Sequence, residues 1–282
     1  MSIGFCTSLR AEAVSRLLLA CGLAFAAFPA QAITPADQNA ELRSDGATLR
    51  LVALKGDADG MVRGALSIEL APGWKTYWTA PGPVGLAPRI DLSESTGIED
   101  PVLQYPIPAR FAEGDAESVG YAEPMAVFFE AKAIEAMPRI EADILIGVCR
   151  EICVPLAARL SVFPSEGLSD RALVLSAKEA LPAEAGSLAP RSVRWSQDLS
   201  GLEVGSLAGV TDAFIDASPG WSFGPPIPTS TPTGPSFTIP VLARPSGSQV
   251  PMHVSILLIA AEKAQLSRSV QVDPPDSPGR DR

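Results

Sequence analysis

The sequence is short of the residues from which most catalytic and metal sites are built. Its 282 residues include one histidine, His253, and four cysteines. A structural zinc site takes four ligands and a catalytic one three plus water. A lone histidine in a strand-like apolar run, far from any cysteine, supplies neither, and a Cys–His hydrolase lacks its base for the same reason. There is no Gly-rich phosphate loop, no G-x-S-x-G elbow and no C-x-x-C pair. No metal and no organic cofactor is expected. Basic residues are also scarce: 22 Lys and Arg stand against 32 Asp and Glu, a net charge of −10. Such a chain lacks the cations that a nucleic-acid backbone demands and is repelled by anionic lipid. Beyond the N-terminus, long apolar runs are missing too. Residues 254–261 are apolar, which suits a buried strand but falls well short of the ~20 residues needed to span a bilayer. Neither nucleic-acid binding nor membrane insertion is expected.

The N-terminus carries an address. Arg10 and Arg16 precede an apolar stretch over residues 17–28, and Ala30-Gln31-Ala32 is a small-residue cleavage pattern. These three parts read as a secretory signal peptide over residues 1–32, cut after Ala32, and export the mature chain to an oxidising compartment. Arg10, Arg16 and Glu12 leave with it, a net +1, so the mature chain carries −11. Cys6 and Cys21 leave as well. The remaining pair, Cys149 and Cys153, reads first as a disulfide in an oxidising compartment.

The pattern after residue 32 is that of an all-β protein. Proline and glycine punctuate short alternating runs. Strands are expected over residues 48–55, 61–70, 88–92, 126–131, 140–148 and 155–163, with a turn at 56–60; that spacing predicts a β-sandwich over residues 33–164. Composition changes near Pro164. Residues 169–181 predict a helix with Ser169 or Asp170 as its cap and Pro182 as its stop. The helix and a small-residue linker, together residues 165–191, separate this sandwich from a second, smaller β-sandwich-like domain over 192–272. That domain has strands at 212–217 and 236–243 and a hairpin within 252–272. Residues 224–234, rich in Pro, Thr and Ser, predict an irregular loop, and 273–282 a disordered tail.

The chemistry is concentrated in Val148-Cys149-Arg150-Glu151-Ile152-Cys153-Val154-Pro155. Along a straight strand the two cysteines would stand about 13 Å apart, whereas a disulfide needs Cα atoms roughly 4.4–6.8 Å apart. The chain between them must turn, either as a hairpin with a three-residue loop or as one turn of helix. As a staple, so short a loop is worth only about 2 kcal/mol, against nearly 5 for a loop of a hundred residues. Arg150 would favour a thiolate and Glu151 oppose it. Spacing alone leaves a redox pair and a passive staple evenly matched.

Motifs elsewhere add to this. Gly73-Trp74-Lys75-Thr76-Tyr77-Trp78, then Pro81-Gly82 and Gly85-Leu86-Ala87-Pro88, resemble the start of the N-terminal periplasmic domain of the DsbD/ScsB thiol:disulfide interchange family. Gln104-Tyr105-Pro106-Ile107-Pro108 and Gly120-Tyr121 resemble the segments flanking that family's mobile loop, and the cysteine segment resembles its redox motif. The likeness runs over about residues 47–163. It implies an immunoglobulin-like first domain in which Cys149 and Cys153 exchange electrons, reduced by a membrane thiol reductase and reducing thioredoxin-like periplasmic proteins. It also implies a cap over the disulfide from residues 111–121, with Phe111 and Tyr121 as shields. Trp74, Tyr77 and Trp78 are expected to serve packing. The alternative is a non-enzymatic envelope scaffold whose disulfide merely closes a hairpin; a copper-handling role would rest on family association alone.

Overall fold

The computed structural model describes residues 39–275 other than 57, 206–208, 218, 232–233, 248 and 262. The predicted signal peptide and most of the predicted tail lie outside the described residues. In chain order the first strands are β1 (Glu41–Arg43), β2 (Ala47–Leu54), β3 (Met61–Leu70), β4 (Lys75–Tyr77), β5 (Arg89–Asp91) and β6 (Ile98–Gln104). They are followed by β7 (Ala109–Glu113), β8 (Ala116–Tyr121), β9 (Met125–Ala133), β10 (Ile140–Cys149) and β11 (Cys153–Val162). Helix α1 (Leu168–Glu179) comes next. After it run β12 (Ala183–Glu184), β13 (Ser192–Trp195), β14 (Gly201–Gly205), β15 (Asp212–Asp216), β16 (Ser222–Phe223), β17 (Ile227–Thr231), β18 (Gly234–Ala243), β19 (His253–Ala260) and β20 (Lys263–Gln271).

The first eleven strands form an immunoglobulin-like sandwich. One sheet runs β1-β2-β3-β9-β6; the other runs β11-β10-β4-β8-β7, with β5 also on β10. Alternation decides which residues face inward. In β2, Leu49 and Leu51 point to the core; in β10, Ile140, Ala142, Ile144, Ile146 and Val148 do, and meet Leu66, Val127 and Phe129 of the facing sheet. Each fully buried Leu, Ile or Phe here is worth roughly 1.5–3 kcal/mol relative to exposure.

Beyond α1, the sheet β12-β20-β19-β15 faces β13-β14-β18-β16, with β17 also on β18. The core between them includes Leu202, Ile239, Ile256 and Leu258. Trp195 lies 5.4 Å from Trp221 and donates its indole N–H to Pro251 O at 3.1 Å, which satisfies the one polar atom of a buried ring.

Two local expectations are corrected. Neither Ser169 nor Asp170 caps α1; the N-cap is Gly167, with no side-chain bond to the helix end. Asp170 lies inside the first turn and accepts from Arg50 and Ser165, each at 2.6 Å, a position where a carboxylate still meets the positive end of the helix. The helix lays Val174 and Ala177 on Val52, Ala65 and Phe128 of the first sandwich. Within residues 224–234 the predicted loop contains β17, which among the described residues pairs with β18 alone. Proline signals a loop, yet Pro228 is tolerated because an edge strand needs no donor on its open side.

The two sandwiches share a seam. Trp78, Val119 and Tyr121 pack with Phe214 and Leu257, and Thr79 donates to Asp216 at 2.8 Å. Arg110 reaches across from β7. It bonds Asp212 through Nε at 3.2 Å, Ala213 O at 2.7 Å and Glu117 at 2.7 Å, and its guanidinium lies 4.6 Å from the Phe214 ring centroid.

Candidate functional site

The site begins at a turn. In Ala71-Pro72-Gly73-Trp74 the Trp74 N–H donates to Ala71 O at 3.0 Å, and Gly73 has φ +77°. Proline followed by a left-handed glycine is the signature of a type II turn. The turn delivers β4 alongside β10, with Thr76 opposite Val148 and Lys75 opposite Cys149. The Thr76 hydroxyl donates to Gly147 O at 2.9 Å and fixes this short strand.

Cys149 closes β10 and Cys153 opens β11, paired directly across the hairpin. Their Cα atoms are 4.1 Å apart and the sulfurs are bonded. Of the two closures open to this spacing, the hairpin with loop residues Arg150, Glu151 and Ile152 is the one formed. The halves of the disulfide differ in access. Cys149 is 1% exposed, whereas Cys153 is exposed. Ile152, at the tip, is 77% exposed. Arg150 lies over the Trp74 ring, 5.5 Å from its centroid.

Tyr77 is the residue that sequence reasoning missed. Its ring is buried, as expected of packing, but its hydroxyl lies 3.0 Å from Cys149 Sγ and 3.1 Å from Cys153 Sγ. Neither sulfur of a disulfide carries a proton, so the hydroxyl is the donor. Glycines make room for the ring. A Cβ on Gly147 would stand 3.0 Å from Tyr77 Cδ2, and one on Gly85 would stand 2.9 Å from Tyr77 Cδ1. Burial raises the Tyr77 pKa, and the charge of Glu113 adds to the shift. Its proton is therefore held at neutral pH. The available signal was the period of two: Tyr77 stands two residues beyond Lys75, the partner of Cys149, and so shares its face.

A polar cluster borders the site. Lys75 forms an ion pair and hydrogen bond with Glu113, and Ser118 donates to Glu113 at 2.9 Å. The hydrogen bond from Lys75 holds the Glu113 pKa below the ordinary carboxylate value, with help from Ser118.

The predicted cap residues fall in different places. Residues 111–121 form most of the β7–β8 hairpin rather than a loop. Phe111 shares the outer face with the cysteines, and Lys75 Nζ lies 5.7 Å from its ring centroid. Tyr121 pairs with Thr76, which pairs with Val148. It therefore occupies the opposite face from Cys149, and its hydroxyl donates to Pro106 O at 2.8 Å. Phe111 and Tyr121 both line a groove of about 620 Å³ beside α1. The structure brings Cys149, Cys153 and Tyr77 together and leaves Tyr121 outside. Among the described residues no helix is long and apolar enough to cross a membrane.

Residues 47–164 match the family described as the N-terminal region of the thiol:disulfide interchange protein DsbD. The fold is similar to the crystal structure of the N-terminal periplasmic domain of ScsB from Proteus mirabilis. The TM-score is 0.65 at 21% identity, over 83% of this chain and 97% of that one. No curated protein matches the chain.

Proposed function

We propose, from the premise that residues 47–164 are a domain of the DsbD N-terminal family, that the chain is a periplasmic thiol–disulfide exchange protein. It relays reducing equivalents from a membrane thiol reductase to thioredoxin-like partners through Cys149 and Cys153. The observation that carries this reading is the unequal exposure of the two bonded cysteines: Cys153 is an exposed residue and Cys149 is 1% exposed.

The chemistry follows from that asymmetry. A thiolate of the reducing partner attacks Cys153 Sγ; a new S–S bond forms, the Cys149–Cys153 bond breaks, and Cys149 departs as a thiolate. The partner's second thiolate then attacks its own sulfur in the mixed disulfide and expels Cys153. The partner leaves oxidised, and this chain keeps two electrons and takes up two protons. The dithiol repeats the sequence in reverse on its target, with Cys153 as the attacking sulfur and Cys149 as the resolving one. Direction depends on the partners' potentials rather than on a local group.

The reduction potential tests the reading. Equilibration in graded thiol buffers followed by alkylation should give a reversible two-electron transition between roughly −180 and −270 mV, the range of exchange proteins. A value below about −300 mV would mark a structural disulfide and leave a two-sandwich scaffold.

A further inference from the structure

The edge of the sheet beside Cys153 is open over a short stretch and closed beyond it. β11 ends its sheet and pairs with β10 without a register shift from Cys149↔Cys153 to Ile140↔Val162. In an antiparallel ladder the backbone N–H and C=O of one residue point to the same side, and successive residues alternate. Ser161 N–H donates to Asn39 O at 3.1 Å, and the Asn39 side chain donates to Arg159 O at 3.4 Å. The odd-numbered residues of β11 therefore turn their backbone groups away from β10. By the same alternation Cys153, Pro155 and Ala157 turn theirs outward. The 4.1 Å Cα separation of the cysteines fits this parity, since facing residues that do not exchange hydrogen bonds are the closer pairs.

Asn39 bonds the outward carbonyl of Arg159 and the outward N–H of Ser161. Among the described residues, nothing bonds those at 153, 155 and 157, and all three residues are exposed. Pro155 has no N–H, so the open edge offers donors at Cys153 and Ala157 and carbonyls at all three. A bare edge is ordinarily an aggregation hazard that a fold blunts. Here one end is covered by Asn39, the middle is blunted by proline, and the part left bare begins at the accessible sulfur.

We infer that this edge is a docking strip: a thioredoxin-like partner lays an extended backbone segment along Cys153–Ala157 and pairs with it as a short added strand. This rests on the exchange reading above and extends it. An attacking sulfur that bonds Cys153 Sγ brings its own chain within reach of this edge. Backbone pairing gives affinity without demanding a particular side chain, which suits a protein that must accept both a reductant and several targets. It also fixes the direction from which the sulfur approaches.

Amide hydrogen exchange tests the strip on the full mature chain. Cys149→Ser is joined through Cys153 to a thioredoxin whose resolving cysteine is replaced by serine. The Ala157 and Cys153 amides should exchange freely in the unjoined protein and at least tenfold more slowly in the joined one. Val154, whose N–H points at β10, is slow in both and serves as reference. If the Ala157 amide is as fast in the joined protein as in the free one, the strip is overturned. It is equally overturned if that amide is already slow in the free protein, because the edge is then covered by the chain itself.

A rate measurement supplies a second readout. Proline at position 157 deletes only the outward donor, and extended backbone at an edge accommodates it. For Ala157→Pro, the ratio of the reduction rate by thioredoxin to that by dithiothreitol should fall about tenfold, the worth of a lost intermolecular hydrogen bond. An unchanged ratio overturns the strip and leaves the exchange reading standing. A wild-type disulfide that dithiothreitol reduces and thioredoxin does not overturns both.

Discussion

The Tyr77 hydroxyl stands 3.0 Å from Cys149 Sγ, the sulfur that the proposed attack on Cys153 would expel. Before attack it donates to a neutral sulfur. Afterwards it faces a thiolate, and a hydrogen bond to a charged partner is about twice as strong. The contact therefore strengthens along the reaction, which is the requirement for lowering a barrier.

Tyr77→Phe keeps the ring between its glycines and removes only this donor. Reduction by dithiothreitol should slow by about tenfold, since a bond to a charged group is worth about 1–1.5 kcal/mol more than one to a neutral group. The melting temperature should move by only a few degrees. Stopped-flow kinetics beside a thermal melt separates the two effects. An unchanged rate would return Tyr77 to a packing role.

The sulfurs should trap partners unequally. Cys149→Ser leaves the accessible Cys153 and should accumulate mixed disulfides with periplasmic proteins. Cys153→Ser leaves a thiol that is 1% exposed and should accumulate far fewer. Non-reducing gels after acid quenching read this directly. Equal trapping would contradict the assignment of Cys153 as the attacked sulfur.

Alkali should weaken the fold. Burial raises the pKa of Tyr77, Tyr105 and Tyr121 above the usual 10.0. As pH rises past about 10 the unfolded chain releases its phenolic protons while the folded chain keeps them. Unfolding then becomes easier with pH. This contribution is fully present below pH 10 and is lost as pH climbs through the folded values. Urea titrations from pH 8 to pH 11 should show the decline, and Tyr121→Phe should make it shallower.

The seam between the sandwiches should be sensitive at Arg110, whose side chain is 13% exposed. Arg110→Ala leaves Glu117 and Asp212 without their cation, though Asp212 keeps the Ala213 N–H at 2.7 Å, and uncovers Phe214. A cost of about 2 kcal/mol is expected, less than the ~3–5 for breaking a fully buried pair because both carboxylates keep some water. Arg110→Lys should recover only part of it, as an ammonium cannot bond three acceptors in one plane. Denaturant unfolding checks both variants.

Much of this was legible in the chain. The alternation of Leu49 and Leu51, and of Ile140 to Val148, marks strands with one buried face, and β3 begins and ends where its pattern does. The short strands were not legible: β4 is three residues long and is held by Thr76 bonding Gly147, a contact distant in sequence. β17 was hidden because proline excludes central strands but not edges. Cysteine count and spacing located Cys149 and Cys153, but Tyr77 reads as packing.

The sequence by itself determined that two cysteines survive the predicted cleavage, that a disulfide four residues apart requires a turn, and that the chain is all-β, because these follow from local spacing and periodicity. Only the tertiary structure decided which sulfur is open, which hydroxyl meets both sulfurs and which backbone groups beside Cys153 are left bare. Each depends on which strands become neighbours. Strand pairing joins residues as far apart as Tyr77 and Cys149, and a shift of one residue would turn each of them to the opposite face.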